Sequence, residues 1–367
     1  MNELIRLFLK LGFIGFGGPA AVIAMMDDEV VTRRKWLTRE HFLDLVGATN
    51  LIPGPNSTEM AMHVGYEQRG FGGMVVAGLC FILPAALITG ALGWLYAEYG
   101  AVPEVEPFLR GIKPAVLAII LGALWRLGKS AVKAWSLVPI GAAVAIGLLL
   151  GVNEVLAMLG GGLLGLGGLY FWRRRLTAIS AILPLLLGFL QTPKVEYSTW
   201  TLGWFFLKVG SVLYGSGYVL IAFLEGGLVQ TYGWLTEQQL LDAIAIGQFT
   251  PGPVLSTATF IGVFLDGWQG GLIATVAIFL PSFVFVSILN PLIPRLRKST
   301  LMGSFLDAVN VSAVALMLVV TVRLGLSVLT GWAPVAIFLL AAVAGLRFKV
   351  NAVWLVSGGA LLGLLLI

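Results

Sequence analysis

The chain contains few of the residues on which disulfides, metal sites and charged surfaces depend. One cysteine, Cys80, and two histidines occur in 367 residues, and charged residues make up 11%. A lone cysteine excludes a disulfide framework, and so few metal-ligating side chains predict no metal site and no cofactor. The net charge of +5 is typical of basic loops that orient a membrane protein, so we expect no nucleic-acid partner.

Apolar residues are abundant instead. They make up 58% of the chain, and the mean hydropathy of +0.96 indicates more apolar surface than one soluble core can bury. Runs such as 74–96 and 272–293 reach the roughly 20 residues that cross a lipid bilayer as a helix. Strongly alternating ten-residue segments, typical of outer-membrane barrels, are lacking. The composition therefore predicts an all-α polytopic membrane protein.

The sequence repeats itself. Residues of the first half recur 198 positions later: Lys10, Gly12, Trp36, Leu37, Thr38, Asp44, Pro53, Gly54 and Pro55 match Lys208, Gly210, Trp234, Leu235, Thr236, Asp242, Pro251, Gly252 and Pro253. Further along the offset is 197, and Gly65, Pro84, Phe108 and Arg126 match Gly262, Pro281, Phe305 and Arg323. We predict one repeat over 1–172, a second over 201–367, and a linker over 173–200 that contains an additional transmembrane helix.

Charged loops indicate how the two repeats are oriented. Basic residues concentrate in loops on the cytoplasmic side of a membrane. In the first repeat they follow the first apolar segment, at Arg33, Arg34, Lys35 and Arg39, whereas the matching segment 225–239 of the second repeat has no Lys or Arg. We therefore predict two inverted-topology repeats, an architecture of secondary transporters whose substrate site lies near the bilayer midplane.

Each repeat interrupts an apolar helix with Pro-Gly-Pro, although a proline inside a helix costs about 3 kcal/mol or more. The flanking segments 41–52 and 55–68 are too short to span, which predicts a re-entrant hairpin with its tip at mid-membrane. A break at Gly17-Gly18-Pro19 predicts a second hairpin in the first segment. A crossing first helix with a non-crossing joint at 176–190 satisfies the charges equally well.

A helix that begins at mid-membrane directs its unpaired amides and its positive dipole end to the centre, which favours an anion. The predicted substrate-binding residues are Lys10, Gly17, Gly18, Gly54, Asn56, Ser57 and Thr58 in the first repeat, and Lys208, Gly215, Ser216, Gly252, Ser256 and Thr257 in the second. The prolines Pro53, Pro55, Pro251 and Pro253 are predicted to be structural. Snorkelling to the interface is the alternative for the two lysines.

Four side chains are candidates for proton coupling. Asp44 and Asp242 are repeated, whereas Glu59 and His63 share one helical face and Thr257 stands where Glu59 would recur. A coupling group present in one half only would suit a transporter. For His63 a hydrogen-bonded interior histidine is the alternative.

The combined pattern FLKLGFIGFGGP, WLT-x-x-x-F/L-x-D and PGP, repeated once, resembles the chromate ion transporter family in its long, two-domain form. The motif positions are Gly17, Gly18, Pro19, Trp36, Asp44 and the prolines, with their counterparts; Gly215-Ser216-Gly217 departs from Gly-Gly-Pro. The resemblance implies a bacterial or archaeal inner-membrane carrier that exports chromate, confers resistance to it and uses the proton gradient. Chromate is a tetrahedral dianion similar to sulfate.

The first hypothesis is therefore a proton-coupled oxyanion exporter that works by alternating access. An oxyanion channel or a sulfate carrier of the same architecture is the nearest alternative. An intramembrane enzyme using Ser57, His63 and Asp44 belongs to a different class, and no spacing points to a placed base and oxyanion donors, so we predict that the protein is not an enzyme. The glycine-rich run 159–169 would permit close packing within the chain or in a homodimer.

Overall fold

The computed structural model describes residues 1–100, 106–171, 196–289 and 300–366. Within these ranges the regular elements are helices. The transmembrane helix predicted for the linker lies outside the described residues. Among the described residues, four helices are long and apolar enough to cross a membrane, and they are the stretches 56–99, 106–131, 254–288 and 301–328. The prediction of an all-α polytopic membrane protein is confirmed.

The helices follow the repeat. In the first repeat they are α1 (Asn2–Ile14), α2 (Gly18–Asp27) with a π-helical end (Asp28–Arg33), α3 (Arg39–Thr49), α4 (Asn56–Tyr99), α5 (Glu106–Ala131), α6 (Val138–Leu149) and α7 (Glu154–Phe171). In the second they are α8 (Thr199–Val212), α9 (Leu220–Leu224) between a 3₁₀ turn (Gly217–Val219) and a π-helix (Glu225–Thr231), α10 (Glu237–Phe249), α11 (Thr257–Leu289), α12 (Thr300–Val328), α13 (Trp332–Arg347) and α14 (Ala352–Leu366). The two π-helical segments also lie at equivalent positions of the two repeats.

The repeated Trp-Leu-Thr element marks the start of a helix in each half. The Thr38 hydroxyl accepts a hydrogen bond from the backbone N–H of His41 at the start of α3. Thr236 does the same for Gln239 at the start of α10, where the two residues form a capping box. A threonine at this position satisfies an amide that the helix leaves unpaired, so the motif fixes where each helix begins.

The first segment of the chain folds back on itself at the glycine break. Lys10 Nζ in α1 lies 2.7 Å from Oε1 of Glu29, which is in the π-helical end of α2. In a continuous helix the 19 intervening steps would separate these residues by about 28 Å. The chain therefore reverses between α1 and α2, as the hairpin interpretation predicts for this segment.

The second segment also folds back, at Pro-Gly-Pro. His41 Nε2 in α3 lies 3.2 Å from Glu67 Oε2 in α4, although the tip between them is at 50–55. The chain reverses again at Arg69 and Gly70, whose backbone leaves the helical region. The same sharp turn recurs at Asp266 and Gly267 in α11. Each of these long helices therefore consists of a short arm that leads from the tip and a long arm that follows the turn.

Helices of each repeat pack against helices of the other repeat. The long arms of α4 and α11 run antiparallel, because Gly78 lies against Phe283 whereas Gly90, further along α4, lies against Trp268, nearer the start of α11. The last helix of each repeat packs on the other repeat: α14 contacts α5, and α7 contacts α12. Glycines at these crossings let the backbones approach closely.

Candidate functional site

The four breaks in the helices meet in pairs across the repeats. The backbone N–H of Gly54, in the first Pro-Gly-Pro, donates a hydrogen bond to the Leu213 carbonyl at the end of α8, over 2.8 Å. The N–H of Gly252, in the second, donates to the Gly15 carbonyl at the end of α1, over 3.0 Å. These residues are equivalent in the repeat, so the two bonds are reciprocal. Each tip is completed by the half to which it does not belong.

Both tips require glycine at their centres. Gly54 and Gly252 have φ values of 143° and 95°, a region that side chains with a Cβ rarely adopt. A Cβ on Gly54 would overlap Glu59 Oε1 and Ser282 Oγ, and a Cβ on Gly252 would lie 2.7 Å from that of Ala85. Ala85 and Ser282 occupy equivalent positions, so each tip packs on the same point of the opposite long arm. The flanking prolines are buried, and their structural role stays a prediction.

Two equivalent hydroxyl groups stand just after the tips. Thr58, in the first turn of α4, and Ser256, which immediately precedes α11, are 0% and 1% exposed. Neither hydroxyl has a hydrogen-bond partner among the described residues. A buried polar group without a partner is costly, so a native structure that contains two at equivalent positions has a reason for them. Both were predicted to bind substrate from their place at the start of a helix.

The carboxyl group of Glu59 is the element of the site that the repeat does not duplicate. It is fully buried, and its Oε1 accepts a hydrogen bond from Ser282 Oγ over 3.3 Å. Its Oε2 has no hydrogen-bond partner among the described residues. In the other half the equivalent positions are Thr257 and Ala85, which differ at both members of the contact. His63, one turn further along α4, is also buried.

A polar cavity of about 280 Å³ leads to the first tip. It is lined by Asn56 and Ile52 from the first Pro-Gly-Pro region and by Gly215 from the break in the second repeat. Asn56 donates a hydrogen bond to Asn50, which also lines the cavity. At its other end the cavity reaches Lys133, whose side chain is 62% exposed. We call this the tip cavity, because it joins the first tip and the break at Gly215 to an exposed end of the bundle.

A second cavity of about 610 Å³ lies at the opposite end of α5. Arg110 and Lys113 line it, together with the first turn of α13. Lys113 is buried; its Nζ donates to Gln238 Oε1 over 2.8 Å and lies 3.6 Å from Asp242 Oδ1. Asp242, itself buried, accepts a hydrogen bond from the Tyr96 hydroxyl over 2.8 Å. We call this the distal cavity.

The two predicted substrate-binding lysines have different surroundings. Lys10 pairs with Glu29, which also binds Arg34, and the hydrogen bond from Lys10 holds the pKa of the Glu29 carboxyl below its ordinary value. Lys208 Nζ lies 5.9 Å from the centre of the Phe205 ring. The substrate-binding role of both lysines stays a prediction.

The other predicted residues are dispersed around the tips. Ser57 is buried, and the Thr257 hydroxyl donates to the Val254 carbonyl. Gly18 lies close to the Tyr218 hydroxyl, while Gly17 is exposed beside it and Ser216 caps the turn after Gly215. Asp44 is exposed, unlike its buried counterpart Asp242.

The structure also identifies polar residues near the site that were not predicted from the sequence. Ser282, Lys113 and Tyr96 contact predicted site residues from elements distant in the chain. A signal for Lys113 exists, because an ionisable residue inside an apolar span is a functional candidate by default. Ser282 could have been found by comparing the repeats, where it stands in the place of Ala85.

The repeated helices and the breaks that meet between the repeats are typical of polytopic helical transporters. The family model described as Chromate transporter matches the chain twice, over residues 2–166 and 200–364. The chain belongs to this chromate transporter family, which confirms the resemblance and the two repeats.

Curated relatives agree with the family model. The chain is 33% identical to a probable chromate transport protein of Synechococcus elongatus, over 85% of this chain and 81% of that protein. It is 30% identical to the chromate transport protein of Cupriavidus metallidurans, over 99% of this chain and 92% of that protein. It is also 30% identical to the chromate transport protein of Pseudomonas aeruginosa, over 88% of this chain and 80% of that protein. No solved structure matches the chain.

Proposed function

We propose that this protein exports chromate across the inner membrane of a bacterium or archaeon by alternating access, driven by protons. The observation that carries the proposal is the meeting of the two Pro-Gly-Pro tips with the opposite breaks, beside the unpartnered hydroxyls of Thr58 and Ser256. The chromate transport proteins among the relatives support the choice of substrate.

The chemistry of the tips suits a tetrahedral oxyanion. Each Pro-Gly-Pro is followed by the start of a helix, directly at α4 and through the 3₁₀ turn Val254–Ser256 at α11, so the tips lie at the positive ends of the helix dipoles. The hydroxyls of Thr58 and Ser256 add donors whose hydrogen bonds to an anion are stronger than those to a neutral group. Sulfate has the same shape and charge, so we propose it as a second substrate.

The repeats are proposed to be inverted in the membrane. Antiparallel packing of the equivalent long arms of α4 and α11 supports this, since equivalent helices that cross in opposite directions belong to oppositely oriented repeats. If both hairpins return to their own side, each repeat crosses the membrane with four further segments. The inversion then requires residues 173–200 to cross once more, as the apolar stretch there allows.

Glu59 is proposed to carry the coupling proton. Burying an ionised carboxylate is costly, and Glu59 is fully buried, so this group is suited to bind a proton and release it as its surroundings change. Its position one residue after Thr58 would let the proton and the anion influence each other. Coupling roles for Asp44, Asp242 and His63 stay predictions.

Uptake of labelled chromate into inside-out membrane vesicles tests the proposed function. A proton gradient, inside acidic, should drive accumulation of chromate above its external concentration, and unlabelled sulfate should compete. Collapse of the gradient with a protonophore should abolish accumulation. Flux that only equilibrates chromate whatever the gradient would contradict the carrier and favour a channel.

A further inference from the structure

The tip cavity and the distal cavity are lined at equivalent positions of the two repeats. Four positions of the repeat line both cavities. In each of the following pairs the first residue lines the tip cavity and the second lines the distal cavity: Ser130 and Ser327, Ala131 and Val328, Lys133 and Thr330, Asn310 and Lys113. Unrelated clefts would not coincide in this way. The two cavities are therefore the same feature of the fold, formed once by each repeat.

They lie at opposite ends of the bundle. On α5, Arg110 and Lys113 line the distal cavity, whereas Leu127 and Ser130 line the tip cavity. The 14 residues from Lys113 to Leu127 correspond to about 21 Å along the helix. Because α5 is long enough to cross a membrane, the cavities approach from opposite faces.

The cavities differ in how far they reach. Ile52, Asn56 and Gly215 bring the tip cavity to the breaks, whereas the lining of the distal cavity includes no described residue of either break. The Lys113 to Asp242 pair stands at its inner wall, and α10 leads from Asp242 to the second Pro-Gly-Pro. In the tip cavity Asn310 replaces this lysine, and Asp44, the counterpart of Asp242, is exposed.

We propose that the distal cavity is a second oxyanion site, in which Lys113 binds chromate or sulfate on the far face of the membrane when Asp242 releases it. Lys113 is a buried cation at the cavity wall, and an oxyanion can take the place of the Asp242 carboxylate. Thr330 and the first amides of α13 favour the same charge. This inference rests on the proposed function and adds a site at which the exported anion leaves.

Inhibition of export by chromate preloaded in the vesicle lumen tests the second site. Initial rates in inside-out vesicles are measured for the wild type, Lys113→Gln, Lys113→Arg, Asp242→Asn and Lys129→Gln, each relative to its own rate with an empty lumen. We expect Lys113→Gln to raise the half-inhibiting lumenal concentration about tenfold, the effect of losing one contact to a charged group. Asp242→Asn should lower that concentration, because it frees the lysine.

Lys129→Gln is the matched control, since this exposed lysine of the same helix lies over Trp125 at the other end. It should leave lumenal inhibition unchanged, and Lys113→Arg should retain it. Equal lumenal inhibition in the wild type and Lys113→Gln would overturn the proposal, as would shifts of Lys113→Gln and Asp242→Asn in the same direction, which indicate a structural ion pair.

The experiments distinguish an error in the proposed second site from an error in the proposed function. If the wild type transports no chromate, the proposed function is lost, and equilibrium binding of chromate to the purified proteins then judges the site. Binding lost in Lys113→Gln and kept in Lys129→Gln supports it. Equal binding in the two variants, or none in the wild type, rejects it. A Lys113→Gln variant that does not reach the membrane leaves Asp242→Asn and Lys113→Arg to decide, by the directions given above.

Discussion

Ser282 and Glu59 lie in different repeats, 223 positions apart, yet the serine hydroxyl donates a hydrogen bond to the carboxyl group beside the first tip. The equivalent contact in the other half would join Ala85 to Thr257, neither of which can hold a charge. The repeat therefore duplicates the tips and their hydroxyls but places an ionisable group at one of them. The proposed coupling of one proton to an anion at the tips is consistent with this asymmetry.

Substitution of Glu59 by Gln should uncouple transport from the proton gradient. The amide fills the same space but cannot take up or release a proton, so chromate should equilibrate without accumulating. Vesicle uptake with and without a pH gradient measures this. Glu67→Gln is the control, because Glu67 lies two turns along the same arm and pairs with His41. Gradient-driven accumulation that survives in Glu59→Gln would place the coupling group elsewhere.

Removal of the two tip hydroxyls should weaken chromate binding. Thr58→Val and Ser256→Ala each delete a donor to the anion, and a hydrogen bond to a charged group contributes roughly 1.5–3 kcal/mol, so each affinity should fall by about tenfold or more. Equilibrium binding to the purified protein measures the effect. In the control Thr321→Val, the lost hydroxyl was already bonded to the Met317 carbonyl, and affinity should be unchanged. Wild-type affinity in both tip variants would show that the anion binds away from the tips.

Alanine at Gly252 should destabilise the protein and abolish transport. The added Cβ would lie 2.7 Å from that of Ala85 in a backbone conformation with φ of 95°. Overpacking typically costs about 1–3 kcal/mol, in addition to the strain at positive φ. Gly151→Ala carries the strain alone, since φ there is 89° and no atom lies within 4 Å of the added Cβ. Thermal unfolding of both variants separates the two effects, and equal losses would mean that the tip tolerates the overlap.

Loss of the Lys10 side chain should destabilise the folded protein. The hydrogen bond from Lys10 lowers the pKa of Glu29, so the pair stabilises the folded protein above the ordinary pKa of a glutamate and loses this effect as the pH falls through the lowered value. Lys10→Gln should therefore reduce the unfolding temperature at pH 7 by a few degrees and show a smaller further loss on acidification than the wild type. Weakened chromate binding with unchanged stability would instead support the role predicted from the sequence.

Labelling of single cysteines tests the inversion of the repeats. In a Cys80→Ser background, Lys35→Cys and Gly233→Cys place a thiol at equivalent exposed loop positions, with similar φ values of 52° and 65°. An impermeant thiol reagent applied to intact cells should label one of them, and inside-out vesicles should expose the other. Labelling of both from the same side would rule out inverted repeats.

The repeat, the helical class and the positions of the breaks could be predicted from the sequence, because these depend on local chemistry that is visible along the chain. Pro-Gly-Pro ends a helix wherever it occurs, and Thr38 and Thr236 begin one. The partners of Lys10 and Asp242 could not be predicted in this way. Glu29 and Lys113 reach them only because the chain reverses and the repeats interpenetrate, and a pattern along the chain contains no distances between distant segments.

The reciprocal bonds from Gly54 to Leu213 and from Gly252 to Gly15 also determine what a separated half can do. A chain cut within 173–198 gives two fragments, each with the described helices of one repeat. The Pro-Gly-Pro amide of each fragment then lacks its acceptor, and the carbonyl at its glycine break lacks its donor, because the other fragment supplies both. Two such fragments made in one cell could restore both bonds by associating. Two copies of one fragment could do so only by adopting the relative orientation that the two repeats have in the intact chain. The fusion of both halves into one polypeptide guarantees that each tip is formed with its complement.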